Sequence, residues 1–257
     1  MIVLFVFILG LIFGSFINAL LYRLHVGESL VHGRSKCPDC GHTLSAKDLV
    51  PLISWAILKA RCRYCRKPIS WQYPVIELAM ALAFVICYLV SGIADLQSAM
   101  FDLRLASWLL FSVFLMIVFV YDARHYLILD SVIIPASISA LVLNLILGYS
   151  WQNLLLGVVI ASGFFALQFF VSRGKWIGFG DVKLGVFLGL MLGWPNILAG
   201  LFLAYILGSI VGIGLILSKK KEWGGQVPFG TFLALASFIA MLYGQQLIDW
   251  YLRLLYV

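Results

Sequence analysis

Four cysteines and four acids are the residues in this chain whose type and spacing carry chemistry. Cys37-Pro-Asp-Cys40 and Cys62-Arg-Tyr-Cys65 are two C-x-x-C pairs separated by 21 residues. Pairs at this spacing can each supply two thiolates from a tight knuckle to one tetrahedral Zn²⁺. Gly41 suits the turn after the first pair, and the basic loop favours the thiolate form that metal binding requires. Two disulfides or a redox dithiol compete with a structural zinc, but a reducing compartment disfavours structural disulfides. Cys87 stands alone in an apolar stretch and reads as a small core residue.

Carboxylates in or at a bilayer are expensive, so each one is a candidate for function. Of the eleven acids, Asp39, Asp48, Asp95, Asp102, Asp249, Glu28 and Glu222 read as loop residues. Glu77, Asp122, Asp130 and Asp181 remain. Glu77 falls one turn into an apolar stretch, where a snorkelling or helix-pairing acid competes with a ligand contact. Asp122 closes one apolar stretch, and Asp181 opens another within Gly178-Phe-Gly180-Asp181-Val-Lys183. Gly178 and Gly180 permit a sharp bend beside that acid. Gly185, Gly189 and Gly193 then recur every four residues, a small-residue face suited to close helix packing, and Asp181 shares it.

Two carboxylates held close cannot both ionise readily. The ionised one can draw a proton from water while the protonated one donates to a carbonyl oxygen, the chemistry of aspartic proteolysis. A proton or cation pathway through the same acids is the competing reading. Asp122 and His125 are spaced for one helical face, but no third metal ligand accompanies them. Asp130 fits a helix N-cap, and Lys183 fits local pairing or snorkelling.

The elements that hold these residues follow from composition. The chain has 257 residues, 63% hydrophobic and 11% charged, with a net charge of +7. Average soluble chains are roughly 45–50% apolar and about 25% charged, so soluble enzymes, disordered regulators and nucleic-acid binders are excluded. An all-α polytopic membrane protein is expected, with about eight spans near 2–22, 75–92, 104–121, 131–149, 152–171, 182–195, 196–217 and 228–245. The first reads as a mature helix and not a cleaved signal, because it lacks a basic leader region and continues into Tyr22-Arg23. Three parts result: the first span at 1–22, a four-cysteine loop module at 23–73, and a bundle of about seven helices at 74–257.

Sixteen of the eighteen Lys and Arg, including Lys219–Lys221, fall on one side of such a bundle, with only Arg104 and Arg253 opposite. The positive side is cytoplasmic. This places the N-terminus outside, with the cysteine loop and both aspartates at the cytoplasmic face. The basic excess therefore encodes orientation and no nucleic-acid partner. Within the loop, Asp48-Leu-Val-Pro-Leu-Ile-Ser-Trp is too apolar for a linker, and either lies against the membrane or bundle or forms a packed mini-domain core.

The chain resembles the prepilin peptidases, the type IV leader peptidase family of GxGD-type intramembrane aspartic proteases. The resemblance runs nearly end to end. It is carried by Gly14-Ser-Phe-Ile-Asn18-Ala-Leu-Leu-Tyr-Arg23, both cysteine pairs with Asp48-Leu-Val-Pro51 and Ser54-Trp55, Tyr73-Pro-Val-Ile-Glu77, the Asp122 stretch, Gly178-Phe-Gly180-Asp181-Val-Lys183 and Pro228-Phe-Gly230. It implies Asp122 and Asp181 as the catalytic pair and the four cysteines as a zinc site. It also implies removal of the short basic leader from pilin, type II secretion pseudopilin or competence pseudopilin precursors at the bacterial inner membrane. Methylation of the new N-terminus with S-adenosylmethionine is implied for many members. Leu129, Thr231 and Ala60 depart from the family's usual proline, proline and glycine, and leave the second activity open. Two other classes stay in view: a transporter or proton channel relaying through Asp122, Asp130 and Asp181, and a membrane zinc or redox scaffold. The first has no need of the cysteines, and the second has no need of the acid in GxGD.

Overall fold

The computed structural model describes residues 1–29, 33–93, 102–218 and 227–255. The expected basic cluster Lys219–Lys221 and the loop acids Asp95 and Glu222 lie outside the described residues. The described residues contain helices and no strands beyond two isolated bridges. They fall into two compact units, Met1–Leu105 and Ala106–Val257.

In the first unit, α1 (Ile2–Val26) packs against α3 (Gln72–Ser91). The seam is set by Gly10 and Gly14, where an added Cβ would stand 2.5 Å from the Cα atoms of Ala81 and Glu77 respectively. Small residues that bring backbones together drive helix association where lipid removes the hydrophobic incentive. Asn18 donates to the Tyr73 carbonyl at 3.1 Å, tying the helix ends beside the module. Helix α1 runs four residues past the expected end of the span, to a left-handed Gly27.

Between them lies the cysteine module. A short 3-10 turn (Ala46–Asp48) and α2 (Ile53–Ile57) separate two knuckles of the same design, each closed by one antiparallel bridge, Lys36 with Thr43 and Arg61 with Pro68. In each knuckle the first cysteine's carbonyl accepts from the amide four residues on, Gly41 and Arg66, and both of those residues are left-handed.

The second unit holds α4 (Leu103–His125, begun at the boundary), α5 (Asp130–Ile146), α6 (Trp151–Ser172), α7 (Phe179–Leu192), α8 (Asn196–Leu217) and α9 (Phe229–Leu255). Helix α7 is at its centre, against α5, α6, α8 and α9. Gly189 meets the backbone of Gly157 on α6, as the small-residue face of α7 leads one to expect. Gly193 extends the same face while ending α7 with φ 62°: a Cβ on Gly157 would stand 3.1 Å from the Gly193 Cα. Phe187, fully buried, meets Phe111 and Phe114 of α4 edge-on at 6.4 and 6.2 Å between ring centres.

Each of the eight expected spans corresponds to a helix. Six are long and apolar enough to cross a membrane: α1, α3, α4, α6, α8 and α9. The other two are shorter, 17 residues for α5 and 14 for α7. A full crossing takes about 20.

Candidate active site and metal centre

Asp122 is the fourth residue from the end of α4, and its side chain is buried. Its Oδ2 accepts from the Thr231 amide at 2.8 Å and from the Thr231 hydroxyl at 3.3 Å. Thr231 is the third residue of α9. The first four amides of a helix have no intrahelical acceptor, so the start of α9 presents a free N–H, and here the Asp122 carboxylate accepts from it. Gly230 permits the approach: a Cβ there would meet Asp122 Oδ2 at 2.9 Å.

Asp181 is the third residue of α7 and is also buried. Its Oδ2 accepts from the Gly178 amide at 3.1 Å, so the GxGD segment folds back on its own acid as a helix-start cap. Ile128, in the connection between α4 and α5, joins the two places. A Cβ on Gly180 would stand 3.1 Å from Ile128 Cβ, and one on Gly230 would stand 3.3 Å from Ile128 Cδ1. The structure therefore gathers Asp122 on α4, Gly180 and Asp181 on α7, and Gly230 and Thr231 on α9 around one isoleucine. Two buried carboxylates so arranged, with few other polar groups, can share a proton.

The remaining expected site residues have definite places. Asp130 is not the N-cap of α5; that position is Leu129, and Asp130 is the first residue of the helix. Its carboxylate instead receives both contacts of Lys183 Nζ at 2.7 Å, joining the starts of α5 and α7. The ammonium also lies 5.4 Å from the centre of the Phe179 ring. Glu77 is buried and does not snorkel. Its Oε2 accepts from the Leu52 amide at 2.8 Å, which fixes the tip of the cysteine module to α3. His125 stacks on Tyr121 at 4.6 Å. Cys87 is a fully buried core residue.

The four sulfurs of Cys37, Cys40, Cys62 and Cys65 lie within 4.8 Å of one another, with Cys37 and Cys65 at 3.9 Å. A tetrahedral Zn–S bond of about 2.3 Å requires sulfurs about 3.8 Å apart, so the cluster has the dimensions of a metal site. Burial pushes the Cys37 thiol up. The Cys65 amide, working against burial and aided by that of Tyr64, brings Cys62 down to about 7. Cysteine sulfurs are soft ligands once a metal displaces their protons, and select zinc-like ions over calcium or magnesium.

Asp48, set aside as a loop acid from sequence, is the hub of the module. Its side chain is only 3% exposed. It accepts from the Ser45 amide and hydroxyl at 3.1 and 2.7 Å, from Arg63 Nε at 2.6 Å and from the Tyr64 hydroxyl at 3.1 Å. Burial raises its carboxyl, but these donors outweigh burial and hold it well below the usual carboxylate range. Two sequence signals bear on it: Ser45 three residues before it, half of a capping box, and its place in Asp48-Leu-Val-Pro51, one of the stretches that carry the resemblance. Ala60 has φ 56°. A left-handed position there gives a physical reason for the glycine from which this chain departs.

Residues 8–91 match a family model described as the bacterial peptidase A24 N-terminal domain, and residues 109–213 match one described as the type IV leader peptidase family. Curated proteins named prepilin leader peptidase/N-methyltransferase are similar over nearly the whole chain. That of Aeromonas hydrophila is 32% identical over 279 residues, covering 96% of this chain and 92% of its own. That of Bacillus subtilis (strain 168) is 31% identical over 251 residues, covering 96% and 97%. That of Pseudomonas aeruginosa PAO1 is 30% identical over 274 residues, covering 96% and 92%. No solved structure matches the chain.

Proposed function

The chain belongs to the type IV leader peptidase family, and from that premise we propose that it is an aspartic endopeptidase of the bacterial inner membrane. It removes the leader from pilin-like or pseudopilin precursors and methylates the new N-terminus, the two activities named for its curated relatives. The observation that carries the reading is the gathering of two buried aspartates, 59 positions apart in sequence, at the end of α4 and the start of α7 around Ile128.

In the peptidase step, the ionised acid of the Asp122–Asp181 pair draws a proton from water, and the protonated acid gives its proton to the scissile carbonyl oxygen. Thr231 aims the Asp122 carboxylate, and the Gly178 amide aims that of Asp181. Gly180 lets Ile128 close against the start of α7 beside the acids, while the Lys183–Asp130 pair supports that start. A pilin-like substrate is itself an apolar helix behind a basic leader. It rests in the bilayer with the scissile bond at the cytoplasmic edge, where that bond must unwind before water can attack it.

The positive-inside distribution puts the N-terminus of the chain outside, and the cysteine module with both acids at the cytoplasmic face. Zinc held by Cys37, Cys40, Cys62 and Cys65 would clamp the two knuckles together, a structural role. S-adenosylmethionine supplies the methyl group of the second activity when bound. The module at 23–73 and the bundle at 74–257 are the two working parts.

Co-expression with a prepilin-like precursor tests this. Leader removal should be lost in Asp122→Asn and in Asp181→Asn. Cleavage that survives either change ends the assignment of the pair. Mass spectrometry of the mature N-terminus tests methylation, and elemental analysis of the purified chain tests zinc at one per chain.

A further inference from the structure

The tip of the cysteine module carries an apolar surface that the active-site reading does not use. Ile57 is 70% exposed, Trp71 69% and Ile53 58%, with Leu49 and Val50 also exposed. A folded module rarely leaves so many large apolar side chains to water without a partner. Three further observations say what covers them.

The first is depth. The Leu52 amide donates to Glu77 Oε2, and Glu77 is the sixth residue of α3, a span of 20 residues. At 1.5 Å per residue this is about 8 Å along the helix from its first residue. The residues beside Leu52, among them Val50 and Ile53, are therefore held level with the first turns of a helix that crosses the bilayer.

The second is the aromatic edge. Trp55 of α2 stacks on Trp71, with ring centres 4.3 Å apart, and Trp71 is the residue that immediately precedes α3. Tryptophan at the first turn of a span sits at the headgroup level.

The third is charge. In the module, Lys36 pairs with Glu28, Arg63 with Asp48 and Lys67 with Asp39. Arg34, Lys47, Lys59, Arg61 and Arg66 are exposed and pair with no carboxylate among the described residues. Lys47 and Lys59 flank the apolar stretch at either end. Apolar residues bordered by unneutralised cations, anchored level with the start of a span, match the acyl–headgroup boundary of an anionic leaflet.

We propose that Leu49, Val50, Ile53, Ile57 and Trp71 form an interfacial membrane anchor that seats the cysteine module on anionic phospholipid. The occupant is the leaflet that α1 and α3 themselves enter. A basic peptide is disfavoured by the same cations, and a second copy of the chain brings a like-charged module. The anchor fixes the module's height at the membrane surface through two contacts of different kinds: a buried carboxylate from inside the α1–α3 pair, and lipid from outside.

Photocrosslinking of the full chain tests this. A benzophenone amino acid replaces Ile53 or Ile57 in protein reconstituted into nanodiscs of phosphatidylcholine, with and without one third phosphatidylglycerol. Leu82, exposed on α3, is the positive control, and Lys67, on the second knuckle, is the negative one. Monodisperse elution before reconstitution establishes that each labelled chain is folded. Lipid adducts are expected at positions 53 and 57 as at 82, absent at 67, and enriched in phosphatidylglycerol. Each basic residue near an anionic surface contributes roughly fivefold, so Lys47→Glu with Lys59→Glu should lower that enrichment by about tenfold or more. Adducts to protein at 53 and 57, or none where Leu82 labels well, overturn the anchor. Equal labelling of both lipids, untouched by the charge reversals, overturns its anionic selectivity.

Discussion

Replacing Gly14 by alanine tests whether the α1–α3 seam is what holds the first unit together. The added Cβ would lie 2.5 Å from Glu77 Cα and 3.0 Å from the Ile76 carbonyl oxygen. Both are backbone atoms, so no rotamer change relieves the clash. Restoring an ordinary contact requires the helices to part by about 1 Å, and a gap of that size forfeits about a quarter to a half of each dispersion well along the seam. Overpacking of this kind costs about 1–3 kcal/mol, and the backbone contact places Gly14→Ala in the upper half, at about 2–3 kcal/mol. Gly163→Ala is the matched control. Nothing lies within 4 Å of its Cβ position on α6, so the substitution should stabilise by about 0.5–1 kcal/mol through helix propensity alone. Reversible unfolding in mixed detergent micelles measures both. The parted helices should also loosen the Leu52–Glu77 bond, seen as faster hydrogen exchange at the Leu52 amide. Wild-type stability of Gly14→Ala, or equal losses in the two variants, refutes the reasoning.

Four further outcomes follow from the site and the module. Thr231→Val keeps the amide that reaches Asp122 but removes the hydroxyl, so leader cleavage should fall about two- to tenfold, the worth of one modest hydrogen bond, with substrate binding unchanged in a kinetic titration. Lys183→Met breaks an ion pair whose side chains are 39% and 55% exposed, and should shift stability by no more than about 1 kcal/mol in the same unfolding assay. Asp48 has its carboxyl depressed by folding, so its stabilisation is complete above the ordinary carboxylate value of about 4 and fades as pH falls through the folded value; the melting difference between wild type and Asp48→Asn should be constant from about pH 8 to 5 and shrink below about pH 4. Ala60→Gly relieves a left-handed alanine and should stabilise the module by about 1 kcal/mol, read as slower metal extraction by chelator.

What could be read from sequence was whatever had a local signature. The cysteine knuckles, the eight apolar stretches, the glycine face of α7 and the GxGD segment each lie within a few residues of one another. What escaped depended on residues distant in sequence. Gly10 and Gly14 have the same small-xxx-small spacing as Gly185 and Gly189, but sit in an otherwise uniform apolar run, where nothing marks which face meets α3. Thr231 reaches Asp122 across 109 positions, and Asp130 meets Lys183 across 53. An N-cap is one of the readings open to Asp130, because an acid at a helix start usually serves the local amides; the longer-range cation takes it instead. Asp48 reads as a loop acid that also belongs to the resemblance, and nothing beside it points to the Arg63 and Tyr64 that surround it.

The lengths of α5 and α7 bear on how acids can work in an apolar bundle. At 1.5 Å per residue, α7 is about 21 Å long and α5 about 26 Å, against a hydrocarbon core of about 30 Å. Their far ends are marked by aromatic residues: exposed Tyr149 and Trp151 beyond α5, and exposed Trp194 beyond α7, its carbonyl held by Asn153 at 2.6 Å. Such residues favour the membrane–water interface. With those ends at one surface, the beginnings of both helices stop short of the other, α7 by about 9 Å. Each beginning carries an acid, Asp130 or Asp181, and Lys183 joins the two. On the proposed orientation both acids would then lie below the far surface, beside the end of α4, where Asp122 is. In the proposed peptidase, acids at that depth would need little water entry from the near surface, and a substrate helix alongside would have its scissile bond close to that surface. Lengthening α7 by one turn after Leu192, about 5.4 Å, would push Asp181 toward the surface, out of register with Thr231 and Asp122. Cleavage should be lost while the helices still insert, and an insertion mutant that cleaved normally would show that the depth of the acids is immaterial.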